Sequence, residues 1–102
     1  MPIQHTVVFS LAHARGSDAE REFLSTGATR LTSIPGVSDF TVNEQVSPDS
    51  DLAWQFSMFF ADQAAYDTYN EHPTHVEFVS TRWTQEVVAF QEYDFVTYTP
   101  SA

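Results

Sequence analysis

Between Tyr69 and Val79 the chain reads Tyr-Asn-Glu-His-Pro-Thr-His-Val-Glu-Phe-Val, gathering a tyrosine, a proline and two of the four histidines into a few residues. An imidazole whose ordinary titration lies near pH ~6.5 can take a proton at neutral pH, and a phenol can donate a hydrogen bond. The chemistry these types permit is proton transfer, provided Tyr69 and His75 share a pocket. On one unbroken helix they would point about 120° apart. The residue before proline is steered out of the helical region and proline suits a first helical turn. A helix is therefore expected to end near Glu71 and another to begin at Pro73, a break that lets Tyr69 and His75 converge.

Each residue also has a plainer reading. His75 could cap a helix by bonding a neighbouring backbone group, and Tyr69 could be a core tyrosine satisfied by one internal acceptor. His5 alternates with Ile3, Val7 and Phe9, where it needs a partner. That partner could be Tyr69 or His75, with His5 holding a tautomer, or His5 could be a satisfied core histidine. His72 reads as a helix-boundary residue near the surface and His13 as a solvent-exposed loop residue. A metal site from His72, His75 and Glu71 or Glu77 lacks any recognised zinc spacing, and the proline disturbs the shared face, so no metal is expected. The row Trp54, Phe56 and Phe60 could line a haem or flavin pocket, but no glycine-rich phosphate loop accompanies it. It reads as core, and no cofactor is expected.

The elements that must position these groups follow from periodicity. Ile3 to Leu11 alternates as a strand. Ser17-Asp18-Ala19-Glu20 is a capping box that opens a helix whose stripe is Phe23, Gly27 and Leu31, flanked by Leu24 and Ala28, and which ends before Ile34-Pro35-Gly36. Val37 to Val46 and Leu52 to Phe60 read as strands joined by the turn residues Ser47 to Asp51. A helix over Ala61 to Glu71 carries Ala61, Ala65 and Tyr69 on one stripe. A short helix over 73–80 and a last strand over 84–98 complete the chain.

With 102 residues the chain is one domain large enough for a core without staples, and it has no cysteine, which excludes thiol chemistry, Cys-zinc sites and disulfides. Fourteen acidic residues against four arginines, with no lysine, give a net charge of −10. That balance repels nucleic acid and anionic membranes, and the missing lysine excludes Schiff-base and P-loop mechanisms. No basic leader followed by a long apolar run, and no apolar run of membrane length, is visible; a cytoplasmic protein is the expectation.

The order β-α-β-β-α-β is that of a ferredoxin-like α+β fold, a four-stranded antiparallel sheet with two main helices on one face. The other face would bear Val8, Phe59 and either Val88 and Phe90 or Val87 and Ala89. A second copy of the chain is its natural cover, so a homodimer, sheet against sheet, is expected.

His5-Thr6-Val7-Val8-Phe9, Ile34-Pro35-Gly36-Val37 and the segment Tyr69 to Phe78 with its His-Pro-x-His element together resemble the stress-responsive A/B barrel (Dabb) domains of the dimeric α+β barrel superfamily. The resemblance spans nearly the whole chain. Most members have no assigned reaction. In a plant polyketide cyclase of the family, the catalytic tyrosine and histidine sit at the first and last polar positions of the same segment. That match implies Tyr69 and His75 as a catalytic pair, His75 deprotonating a carbon flanked by carbonyls while the Tyr69 hydroxyl bonds the developing enolate or alkoxide. It also implies His5 as a third site residue and Val7, Phe9, Phe23, Leu24 and Phe56 as an apolar lining, with the bulk of Phe9 and Phe56 shrinking the pocket. Three functions follow as expectations: a cofactor-free enzyme of a small apolar carbonyl or polyketide-like compound, a binder of such a ligand, or a stress-associated structural dimer. A cofactor-free monooxygenase is a further alternative within the superfamily.

Overall fold

The computed structural model describes residues 1–101. β1 spans Ile3–Leu11 and turns Ile3, His5, Val7 and Phe9 into the core. α1 spans Asp18–Thr32 and starts where the capping box places it, with the Ser17 hydroxyl accepting from the Glu20 amide at 3.2 Å. The Glu20 carboxylate closes the box one residue early, accepting from the Gly16 amide at 2.8 Å, and also accepts from the Trp54 indole at 3.0 Å. These bonds satisfy a carboxylate that is buried. Phe23, Gly27 and Leu31 form the buried stripe. Gly27 is required there by packing, since a Cβ would lie 2.8 Å from the Phe56 ring and 3.3 Å from that of Phe78.

β2 (Ser38–Glu44) and β3 (Trp54–Phe60) are each shorter than their apolar runs. β2 is irregular between Ser38 and Thr41, where Asp39 adopts a φ of 50°. α2 spans Gln63–Glu71, capped by the Asp62 carboxylate on the Ala65 amide at 2.9 Å. Ala61 lies before this helix and is exposed, so the expected Ala61-Ala65-Tyr69 stripe is replaced by Tyr66 and Tyr69, the residues α2 buries. The break falls at His72, whose ψ of 134° ends α2 and whose Nδ1 accepts the Thr74 amide at the start of α3 (Pro73–Phe78).

Helical structure then continues beyond the expected end of α3, through a π-turn over Val79–Trp83 and the single turn α4 (Thr84–Glu86). The last strand, β4, is therefore Val87–Phe95 and not 84–98. Tertiary packing overrides the β-like local sequence: Trp83 lies with ring centroids 5.0 Å from Phe9 and 5.7 Å from Phe90, while Arg82 is tied to Glu22 and Glu86.

The sheet order is β2-β3-β1-β4, all neighbours antiparallel, with the helices on one face. Directly opposed residues share a face. Phe9 opposes Trp54 and Phe90, and His5 opposes Met58 and Asp94, so all of these face the helices. The register shift between Ser10 and Leu11 leaves Leu11 opposite Val87 and Ser10 opposite Ala89. Neither expected outer pair survives this bulge. Ala89 lies outside while Val87 and Phe90 lie on the helix side. Outside, Val8 and Phe59 are joined by Tyr93 and Phe95, which stack at 6.0 Å and remain half exposed. His13 is also corrected: its Nε2 meets a Glu86 carboxylate oxygen at 2.7 Å, and its side chain is only 25% exposed. Among the described residues no helix is long and apolar enough to cross a membrane.

Candidate active site

A cavity of about 50 Å³ opens between the sheet and the α2–α3 break, lined chiefly by His5 and Val7 of β1, Phe56 and Met58 of β3, Tyr69, His75, Phe78, Trp83 and Glu92. It has room for a few water-sized groups, against the roughly 150 Å³ that accepts a benzene ring. The kink brings Tyr69 and His75 together as the broken-helix argument requires, with ring centroids 4.5 Å apart.

His75 is half buried, and its Nδ1 lies 3.1 Å from the Asn70 carbonyl, so Nδ1–H donates there and Nε2 keeps its lone pair. Burial lowers its pKa, opposed by that backbone bond. A neutral imidazole with an open acceptor nitrogen is the form a general base needs. The capping bond of the plainer reading is present and uses one nitrogen of His75, leaving the other without a partner among the described residues.

Tyr69 is 2% exposed, yet its hydroxyl makes no hydrogen bond among the described residues, and no fully buried side-chain polar atom lacks a partner. The hydroxyl must then touch the accessible space of the cavity. Burial, with smaller contributions from Tyr66 and Glu92, raises its pKa far above the ordinary phenol value, so it remains protonated and acts as a donor.

His5 does not bond Tyr69 or His75. Its Nδ1 lies 2.6 Å from Asp94 Oδ1 and 2.9 Å from the Tyr66 hydroxyl, which in turn donates to Asp94 Oδ2 at 2.9 Å. Burial first, then the Asp94 bond, pushes the Tyr66 pKa up. Sequence reasoning missed Asp94 and Tyr66, which bond His5, and Glu92, which borders the cavity. For the two acids the one signal was their alternation along β4, on the face that the register turns toward His5 and Val7.

Of the apolar lining, Val7 and Phe56 border the cavity. Phe9 and Phe23 are fully buried behind it and Leu24 is partly buried against the core; none of the three borders the cavity. The Phe9 ring sits 4.8 Å from Phe56, and Phe23 stacks parallel to Phe56, so the aromatic cluster fills space that smaller residues would leave open. No group of three or more His, Asp or Glu among the described residues is arranged to hold a metal ion.

Solved structures share this architecture. A Dabb family protein with a ferredoxin-like fold from Mesorhizobium loti is 49% identical and superposes with a TM-score of 0.95, covering 96% of this chain and 98% of its own. A dimeric ferredoxin-like protein of unknown function from Thermobifida fusca is 12% identical, with a TM-score of 0.78 over 95% and 92% of the two chains. A hydroxynitrile lyase from Passiflora edulis is 12% identical, with a TM-score of 0.78 over 99% and 97%. The last two likenesses concern the fold alone. Comparison with curated proteins finds no match. The family model for the stress responsive A/B barrel domain matches residues 3–97, and the chain belongs to that family.

Proposed function

We propose that the cavity is a cofactor-free acid–base site for a small carbonyl compound, with the His75 Nε2 as base and the Tyr69 hydroxyl as donor to the carbonyl oxygen. The observation that carries this reading is that two polar groups border one apolar cavity with their reactive atoms unspent: among the described residues the hydroxyl has no partner and the imidazole is bonded only through Nδ1. The small volume favours short-chain carbonyl compounds over polyketide-sized ones. The Passiflora edulis neighbour is described as a hydroxynitrile lyase, so a small cyanohydrin belongs in a substrate screen.

Exchange of acetone methyl protons in D₂O, followed by NMR, tests the base directly. The protein should exceed an equal concentration of free imidazole, and His75→Ala and Tyr69→Phe should each lose about 100-fold or more while melting normally. Exchange no faster than imidazole, or unchanged in both variants, removes the enzymatic reading and leaves a binder or a structural domain.

The outer sheet face supports a homodimer alongside that site. Tyr93, Phe95 and Val96 are about half exposed beside Val8 and Phe59, a contiguous apolar surface that a second copy would cover.

A further inference from the structure

Two carboxylates of β4, Glu92 and Asp94, share the face that looks toward the helices, and only one of them is bonded. Asp94 meets His5 at 2.6 Å and the Tyr66 hydroxyl at 2.9 Å. Glu92 lies opposite Val7 in the β1–β4 register, borders the cavity and is exposed, so it stands where the cavity meets solvent. Among the described residues its carboxylate has no hydrogen-bond or ion-pair partner; the contact it makes with the Gln91 side chain uses its backbone carbonyl. No basic side chain is left to answer it. The chain has no lysine, and all four arginines are paired with carboxylates elsewhere.

On an open surface a lone carboxylate is satisfied by water and carries no message. Glu92 differs in what surrounds it. Phe56, Tyr69, Phe78 and Trp83 line the same cavity, and the faces of aromatic rings carry negative charge density. A carboxylate beside aromatic faces attracts a cation and disfavours an anion. A neutral apolar ligand would instead strip water from the carboxylate without replacing its hydrogen bonds. Deeper in the cavity stands the Tyr69 hydroxyl, on a side chain 2% exposed and without a partner among the described residues. The charge of Glu92 reaches both groups of the acid–base pair. It adds to burial and to Tyr66 in raising the Tyr69 pKa, and at His75 it opposes the lowering that burial causes.

We propose that Glu92 is the specificity-determining residue of this cavity and that the ligand is a small amino ketone. The protonated amine is held at the mouth by Glu92 and the aromatic walls, and the carbonyl lies inside against the Tyr69 hydroxyl. The inference rests on the acid–base reading of His75 and Tyr69 and names its substrate class. A cavity of about 50 Å³ keeps the two ends of the ligand close, which favours an amine on the carbon beside the carbonyl. The net charge of −10 raises the local concentration of such a cation and repels ketones that carry a carboxylate.

Aminoacetone and butanone have the same heavy-atom skeleton and differ by an ammonium in place of a methyl group, so they isolate the charge. Exchange of their methyl protons in D₂O is followed by NMR, each rate divided by that of free imidazole on the same ketone, because the ammonium acidifies its neighbours without help from the protein. The wild-type kcat/KM should favour aminoacetone by about 10-fold or more, and Glu92→Gln should bring the two ketones level, chiefly through the KM of aminoacetone. Asp49→Asn, which removes the same charge from the turn between β2 and β3, should keep the preference. No preference in the wild type, a preference that survives Glu92→Gln, or one lost equally in Asp49→Asn overturns the inference while the His75 reading stands. Exchange of neither ketone beyond the imidazole rate overturns the His75 reading, and NMR titration then decides on Glu92. Binding of aminoacetone over butanone that Glu92→Gln abolishes upholds the assignment, and equal or absent binding overturns it too.

Discussion

Two polar clusters lie at different places around the same core and are built on opposite terms. Where the π-turn meets β4, Arg82 binds Glu86 through Nε at 2.5 Å and also binds Glu22, its guanidinium lies over the Phe23 ring at 5.8 Å, and Glu86 also meets His13 at 2.7 Å. Each of these side chains is bonded to another of the cluster. Around the cavity, by contrast, the Tyr69 hydroxyl has no protein partner among the described residues, and His5 and His75 are each bonded through Nδ1 alone. The first arrangement uses its polar atoms to join α1, the π-turn, α4 and the β1–α1 loop. The second leaves polar atoms open toward the cavity. Polar side chains that serve the fold are recognised by being mutually satisfied, and those available for chemistry by being held firmly at one end and open at the other.

Stability measurements can break this comparison. The largest effect is expected from Arg82→Ala, which strips Glu86 and Glu22 of their cation and uncovers part of Phe23; it should lower Tm by about 5–10 °C without changing acetone exchange. A fall in exchange with Tm unchanged would reverse the roles of the two clusters.

Next comes the dependence on pH, to which each cluster contributes a distinct window. His75 has a folded-state pKa below the ordinary histidine value of 6.5, because it is buried, so the unfolded chain takes up its proton first and stability is lost as pH falls through that region. The Glu86 carboxyl is held below the ordinary 4.5 by the Arg82 hydrogen bond, opposed by burial and aided by His13, so its contribution is present above 4.5 and lost as pH drops further. Melting curves across this range should show both losses. His75→Ala should weaken the upper one and Arg82→Ala the lower one. A single unchanged loss in both variants would show that neither group is responsible.

The smallest effect is expected at Tyr69→Phe, which deletes a hydroxyl with no partner among the described residues. Stability should change by less than about 0.5 kcal/mol in urea unfolding. A loss above about 1 kcal/mol would mean that the hydroxyl serves the fold, and would move Tyr69 into the company of Arg82.

Features written within a few neighbouring residues are legible in the sequence. The alternation of β1, the Ser17 cap, the Phe23-Gly27-Leu31 stripe, the break at His72-Pro73 and the inward direction of Tyr69 are all set by backbone sterics and periodicity over one or two turns of chain. The element order that follows from them suffices to place the chain in a ferredoxin-like fold. The partner of His5 is not legible there, because Asp94 lies 89 residues away and reaches His5 only through the β1–β4 register. A shift of one residue in that register would turn Asp94 outward. The π-turn is hidden for a related reason: Thr84 to Glu86 reads as the start of a strand until Trp83 has aromatic rings to cover and Arg82 has carboxylates to bind. The size of the cavity depends on how Phe9, Phe23 and Phe56, drawn from three elements, interlock around Gly27. By itself the sequence determined the elements and the residue types able to move protons, since both are local properties of the chain. Tertiary structure alone decided which nitrogen of each histidine stays open and how much room lies before it, since both depend on contacts between segments far apart in sequence.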